Sequence, residues 1–294
     1  MKLAFITDFH LEATPGDFHF QTYYVGGHAA IAHGLRNFII NNRVDILLFG
    51  GDMTHNTSDA EISRFLAIFH DFPCPIYLCL GNHDLARTPE VDHIALWKSV
   101  LAAHPSFTLA PYFAQLDGVD LIAFNPQWAD AQGIGHFCWS STTPCNARIN
   151  SADLARLDAT LSKNPGCPAI VITHEGLEPI PTDLSGLPEP IHVPAPEYVG
   201  PLNALLDRHP RARLVLSGHN HVTLAIPHNG RVHAYTGSTS EYPCDVRLIE
   251  ITPAAIRVTT HPLIEWPRHI PWKPAPRGLW ASGRESDRTF AIPL

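Results

Sequence analysis

The sequence carries five short patterns of nitrogen and oxygen donors: Asp8-Phe9-His10, Gly51-Asp52, Gly81-Asn82-His83-Asp84, His174, and Gly218-His219-Asn220-His221. A carboxylate and an imidazole two residues apart, directly after the apolar run Leu3 to Ile6, can share one metal ion, because strand side chains alternate and Asp8 and His10 are expected on one side. His219 and His221 repeat that spacing after Leu214 to Leu216. Asp52 follows Gly50 and Gly51, which let the chain turn sharply and present a single carboxylate. A Gly-Asn-His-Asp run arises from such a composition in roughly one chain in several hundred, so it weighs more than the pairs do. Together the patterns offer imidazole, carboxylate and amide donors without a thiolate, a set suited to Mn, Fe or Zn.

The elements that must hold these residues are legible as an alternation of short apolar runs and helical patterns. Leu3 to Ile6, Ile46 to Phe49, Ile76 to Leu80, Leu121 to Phe124, Ala169 to Ile172 and Leu214 to Leu216 read as buried strands. Each donor pattern falls at the carboxyl end of one of them, where α/β sheets gather their ligands. Ser58 and Glu61 form a capping box that opens a helix running to about His70, and Thr88-Pro89 supplies an N-cap and a first-turn proline for a helix over Val91 to Ala103. Gly27 to Asn41 and Ser151 to Leu161 each place apolar residues on one face. Beyond residue 212, turn signals such as His228-Asn229-Gly230, between Leu224 to Ile226 and Val232 to Tyr235, predict antiparallel strands. Two proline-rich stretches, Glu178 to Pro201 and Pro262 to Leu294, show no helical or strand period and are expected to be a surface loop and an extended tail. The expected organisation is one domain over residues 1–261 and a tail over 262–294, docked on the domain or on a partner subunit through Trp266, Trp272 and Trp280.

Composition sets the context. The 294 residues are 45% hydrophobic and 16% charged, enough to bury a large core, and the net charge of −8 comes without a basic run that could track a long nucleic acid. No stretch approaches the roughly 18 apolar residues of a membrane helix, and the amino-terminal apolar run is too short for a secretory signal, so a soluble cytoplasmic protein is expected. The six cysteines form no C-x-x-C pair and read as free, mostly buried thiols, whereas the 19 histidines are an excess that fits a metal site.

In their order and spacing the five patterns resemble the calcineurin-like metallophosphoesterases, whose signature D-x-H, G-D, G-N-H-[DE], H, G-H-x-H is present over residues 8 to 221. The resemblance implies a four-layer α/β/β/α sandwich of two mixed sheets with flanking helices. It implies that Asp8, His10 and His221 bind one metal, that Asn82, His174 and His219 bind a second, and that Asp52 bridges them. Two ions about 3.5 to 4 Å apart can hold a bridging hydroxide and clamp the phosphoryl oxygens for an in-line displacement. His83 would then face the substrate as acid or charge stabiliser, with Asp84 holding its tautomer, and His55 and Glu175 are further candidates for substrate contact.

Within the family, Phe5 to Leu11, the Gly-Asn-His-Asp box and Glu241-Tyr242-Pro243 look most like the class III cyclic-nucleotide phosphodiesterases. Protein phosphatases carry G-D-x-x-D-R where this chain has Gly51 to Asn56, and purple acid phosphatases carry Tyr in place of His55. The expected activity is hydrolysis of a small phosphodiester. A phosphomonoesterase of the same fold and a catalytically silent metal-binding member are the alternatives, and a homo-oligomer is compatible with either.

Overall fold

A computed structural model describes residues 1–11, 24, 26–85, 92–129, 146–266 and 281–294. The apolar runs become strands of two separate sheets. The first is seven-stranded, in the order β15 (Thr289–Pro293), β14 (Ala255–Pro262), β13 (Asp245–Ile251), β1 (Lys2–Ile6), β2 (Ile46–Phe49), β3 (Ile76–Leu78) and β4 (Phe107–Leu109). Here β1 to β4 are parallel and β13 runs antiparallel to β1. The second sheet is six-stranded, in the order β11 (Leu224–His228), β12 (Arg231–Tyr235), β10 (Ala212–Ser217), β9 (Ala169–Ile172), β6 (Val119–Ala123) and β5 (Tyr112–Leu116). A small ribbon pairs β7 (Gln127–Ala129) with β8 (Asn146–Arg148).

Strand alternation builds the layers. In β1, Leu3 and Phe5 point into a core shared with Ile170, Ile172, Leu214 and Leu216 of the second sheet, so the two sheets pack face to face. Ala4 and Ile6 point the other way, into a core with Ile31 and Leu35 of α1 (His28–Asn42), Ile62 and Phe65 of α2 (Asp59–Phe69) and Trp97 of α3 (His93–Leu101). On the far side, Ala169 and Val171 of β9 meet Leu157 and Leu161 of α4 (Ser151–Leu161). The arrangement is the four-layer sandwich, and strands buried on both faces explain why they read as unbroken apolar runs.

Ser58 caps α2 by accepting from the Glu61 amide at 3.2 Å, and the Glu61 carboxylate takes the Ser58 hydroxyl and the Asn56 amide in return. The start of α3 differs from expectation: its N-cap is Asp92, accepting from Ala95 N–H at 3.0 Å, while Thr88 and Pro89 lie outside the described residues. The stretch Glu178 to Pro201 is not wholly a loop. It contains the short α5 (Thr182–Ser185) and opens α6 (Pro196–Arg208), with Pro196 in the first turn and Pro201 inside. Tyr198, Leu202, Leu205 and Leu206 form the buried stripe of α6, and three of these four lie past Pro201, beyond the proline-rich stretch as it reads in the sequence. In the region after residue 262, α7 (Glu285–Arg288) leads into β15, which pairs with β14 from Ala255↔Pro293 to Thr259↔Thr289. Trp266 packs against Tyr24 and Tyr242, and Trp272 and Trp280 lie outside the described residues. Cys74, Cys79, Cys167 and Cys244 are free thiols. No helix among the described residues is long and apolar enough to cross a membrane.

Candidate metal centre

The five patterns meet where the carboxyl ends of β1, β2 and β3 of one sheet face those of β9 and β10 of the other. The segments after β1 and β2 run side by side, with Asp8 N–H on the Gly51 carbonyl and His10 N–H on the Asp52 carbonyl, both at 2.9 Å. The His219 amide reaches across to the Asp8 carboxylate at 3.1 Å, and the Gly218 amide bonds the His174 carbonyl at 3.0 Å. Asp8 and His10 share a side, but not through strand alternation. Both lie beyond β1 in the left-handed region, with φ of 53° and 46°, as do Asp52 at 53°, His219 at 64° and His221 at 52°. Backbone strain of this kind costs energy at each residue and persists where the surroundings over-determine it. The glycines have a steric reason as well: a Cβ on Gly51 would overlap the His174 ring, and one on Gly81 would overlap the Asp52 carboxylate.

The side chains fall into two donor groups, one of Asp8, His10 and His221 and one of Asp52, His174 and His219, each with ligand atoms within 4.8 Å of one another. In the first, His221 Nε2 lies 3.2 Å from both Asp8 Oδ1 and His10 Nε2. In the second, Asn82 Oδ1 lies 3.2 Å from His174 Nε2 and 3.0 Å from His219 Nδ1. Asp52 spans them, its Oδ2 standing 3.6 Å from His10 Nε2 and 3.2 Å from His174 Nε2.

Among the described residues the ion pairs of Asp8 and Asp52 are all with histidines. Burial works to raise the Asp8 carboxyl, yet His221, His10 and His174 around it hold it well below the ordinary range. Burial works to lower His174, yet Asp52 and Asp8 outweigh it and raise the ring to about 10. Buried carboxylates and imidazoles that lean on one another in this way form a donor set with the chemistry and spacing to hold divalent cations.

The profile of the calcineurin-like phosphoesterase family matches residues 1–223, the span that holds every one of these donors. The chain belongs to this family. A probable cyclic nucleotide phosphodiesterase of Pseudoalteromonas sp. (strain SM9913) is 33% identical over 100 residues, which span 33% of this chain and 34% of that relative. A dimetal phosphatase from Danio rerio superposes with a TM-score of 0.64 at 14% identity, covering 90% of this chain and 96% of that one. GAP50, the anchor in the inner membrane complex of Plasmodium, superposes with a TM-score of 0.57 at 13% identity, covering 90% and 84%. At such identities these structures establish the shared fold. Membership implies a dinuclear divalent metal centre, and the two donor groups described above are among the groups of His and Asp side chains that could hold metal ions.

The remaining predicted residues of this calcineurin-like phosphoesterase are sorted by their contacts. His83 is buried, its ring 4.6 Å from His10 and 4.8 Å from His55 between centroids. Its Nδ1 faces the His55 carbonyl at 2.9 Å, so it is His55, and not Asp84, that holds this nitrogen. The Asp84 carboxylate instead accepts from the amides of Met53, Thr54 and Gly81 and from the Thr54 hydroxyl. It is the brace that fixes the Asp52 turn against the Gly-Asn-His-Asp turn, with its carboxyl raised to about 7 by burial and by the Asp52 charge. Glu175 is buried rather than on the rim, with Oε2 3.4 Å from His219 Nε2, and burial raises its carboxyl to about 8.

Three further residues stand beside the donor histidines. Glu241 Oε1 lies 2.5 Å from His221 Nδ1, which turns Nε2 toward Asp8 and His10. Trp128 packs its indole 5.0 Å from the His219 ring, and His192 stands 6.3 Å from the same ring. Trp128 lies in the three-residue β7 and His192 sits among prolines, so sequence spacing has nothing to single them out, whereas Glu241 opens the Glu241-Tyr242-Pro243 segment already noted for its resemblance, with no signal there of its contact with His221.

Proposed function

We propose that this calcineurin-like phosphoesterase is a dinuclear-metal-dependent hydrolase of small phosphodiesters. One observation carries the reading: two groups of N and O donors share a single carboxylate, Asp52, which lies within 3.6 Å of a histidine of each. Asp8, His10 and His221 would hold one ion, Asn82, His174 and His219 the other, and Asp52 both. Bound there, two ions such as Mn, Fe or Zn supply Lewis acidity toward the phosphoryl oxygens and lower the pKa of water at the site.

The chain's own residues do the rest. Glu241 orients His221, and Asp84 holds the turns that carry Asp52 and Asn82. His83 presents Nδ1 to the His55 carbonyl, which leaves Nε2 as the atom that exchanges a proton with the leaving oxygen. Burial lowers His83 to about 3.

Diester preference is supported by the relative named as a probable cyclic nucleotide phosphodiesterase, which matches a third of the chain, and by the lack of Lys or Arg inside any of the five patterns. A second anionic oxygen would therefore meet no fixed cation from these patterns. Glu175 is buried against His219 and adds no exposed negative charge to this case. The test compares kcat/KM for aryl diester and monoester substrates of matched leaving group, with Mn²⁺ saturating. The expected result is a diester preference of about tenfold, modest because two ions already supply most of the electrostatic stabilisation. A monoester preference would move the protein to the monoesterase reading, and two bound ions with no turnover of either ester would mark a silent member.

A further inference from the structure

Ten non-glycine residues among those described have positive φ: Asp8, His10, Arg43, Asp52, Thr57, His192, His219, His221, Asn229 and Cys244. Five are the donors already placed in the metal centre, and Thr57 donates its hydroxyl to the His83 carbonyl at 2.6 Å. Arg43 is the left-handed C-cap of α1, Asn229 turns the β11–β12 hairpin, and Cys244 follows the Glu241 turn. His192 belongs to none of these groups, yet its ring stands edge-on to His219, 6.3 Å between centroids and 79° between planes.

The segment that brings it there is pinned at several points. The Glu178 carbonyl accepts from the Tyr235 hydroxyl at 2.7 Å, and the Glu178 carboxylate pairs with His228 Nδ1 at 2.8 Å. Ile180 is buried with Leu184, Val222 and Leu224, and it exchanges both backbone hydrogen bonds with Ile191, at 2.9 and 3.2 Å. The residue after that double bond is His192, at φ 49° and exposed. A chain fastened this firmly, then bent into a costly conformation that sets an exposed imidazole beside a metal donor, is built to present that ring.

We propose that His192 is a substrate-binding residue, donating an N–H to a phosphoryl oxygen on the His219 side of the centre, opposite His83. The proposal deepens the phosphoesterase reading and rests on it. It adds an N–H donor where the five patterns supply no Lys or Arg.

The test uses the full chain loaded with Mn²⁺, the variants His192→Gly and His192→Asn, and inorganic phosphate as the probe. Glycine takes positive φ without strain, so the variant removes the ring and keeps the bend. The expected result for His192→Gly is full metal content by elemental analysis, an unchanged melting temperature, and phosphate affinity by calorimetry weakened about tenfold, the scale of a hydrogen bond to a charged group. KM for bis(4-nitrophenyl) phosphate should rise in step with little change in kcat, and His192→Asn, which tolerates the bend and keeps an N–H, should recover part of both. Unaltered phosphate affinity in His192→Gly, or loss of a metal ion from it, would overturn the proposal by making His192 a turn residue or a support for His219. Wild-type protein that binds phosphate but hydrolyses no ester would defeat the phosphoesterase reading alone, since the calorimetric comparison stands without turnover.

Discussion

Asp52 and His83 lie within one hydrogen bond of each other, the His83 amide on Asp52 Oδ1 at 2.8 Å, yet their substitutions should separate cleanly. Asp52 serves both donor groups and Asp8 chiefly one, so Asp52→Asn is expected to bind less metal and to lose more activity than Asp8→Asn. Elemental analysis after dialysis decides it, and equal metal content in the Asp52 variant and the wild type would defeat the bridging assignment. His83 approaches the donors without completing either group, so His83→Ala should keep both ions and lose on the order of 10²-fold in kcat, the usual scale of a general acid. Full activity of that variant toward a substrate with a poor leaving group would place the acid elsewhere. At this scale the sequence is informative about identity and silent about cause. Spacing marked Asp8, His10, His219 and His221, while the reason they converge, a left-handed backbone beyond the strand ends, has no sequence signal when the residue is not glycine. Asp84 illustrates the opposite case: its place beside His83 in the chain suggested a contact with that ring, and the fold spends its carboxylate on backbone amides.

The segment from Glu178 to α6 is the element that sequence reading described least well. Its seven prolines suggested a loop, whereas first-turn geometry tolerates Pro196, and the buried stripe from Tyr198 to Leu206 outweighs the hydrogen bond that Pro201 forgoes. The part before α6 is irregular apart from the short α5 and reaches His219 through His192, so shortening it between Thr182 and Pro190 should alter relative kcat/KM among esters while leaving metal content intact. An unchanged substrate profile would reduce the segment to surface covering. Elements with strong local signals behaved otherwise. Ile46 to Phe49, Ala169 to Ile172 and Ser151 to Leu161 have the bounds their patterns predict, because apolar runs between turn residues, and a capped amphipathic face, need no distant contact to be recognised.

Across the whole molecule, Arg247 of β13 joins what the chain keeps far apart. Fully buried, it donates to the carbonyls of Leu224 and Tyr235 in the second sheet, to the Asp287 carbonyl in α7 and to the hydroxyls of Thr236 and Thr260. Arg247→Met should fill the volume yet leave those carbonyls unpaired, at a cost of roughly 3 to 5 kcal/mol in urea unfolding, because removing one partner strands the others. A loss below about 1 kcal/mol would show that water or repacking replaces the guanidinium. Nothing in the run Asp245 to Ile251 distinguishes this arginine from a solvent-facing one on an edge strand. By itself the sequence determined the donor types, their order, the strands that end in them and the family to which they belong, since each is written in local spacing and apolar period. The tertiary structure decided the division of those strands between two sheets, so that Asp8, Asp52 and Asn82 arrive from one and His174, His219 and His221 from the other. It also brought Glu175, Trp128 and His192 beside His219 and Glu241 beside His221, neighbours that are distant in the chain. Local periodicity records which face of an element is buried; only packing between sheets settles which face meets which.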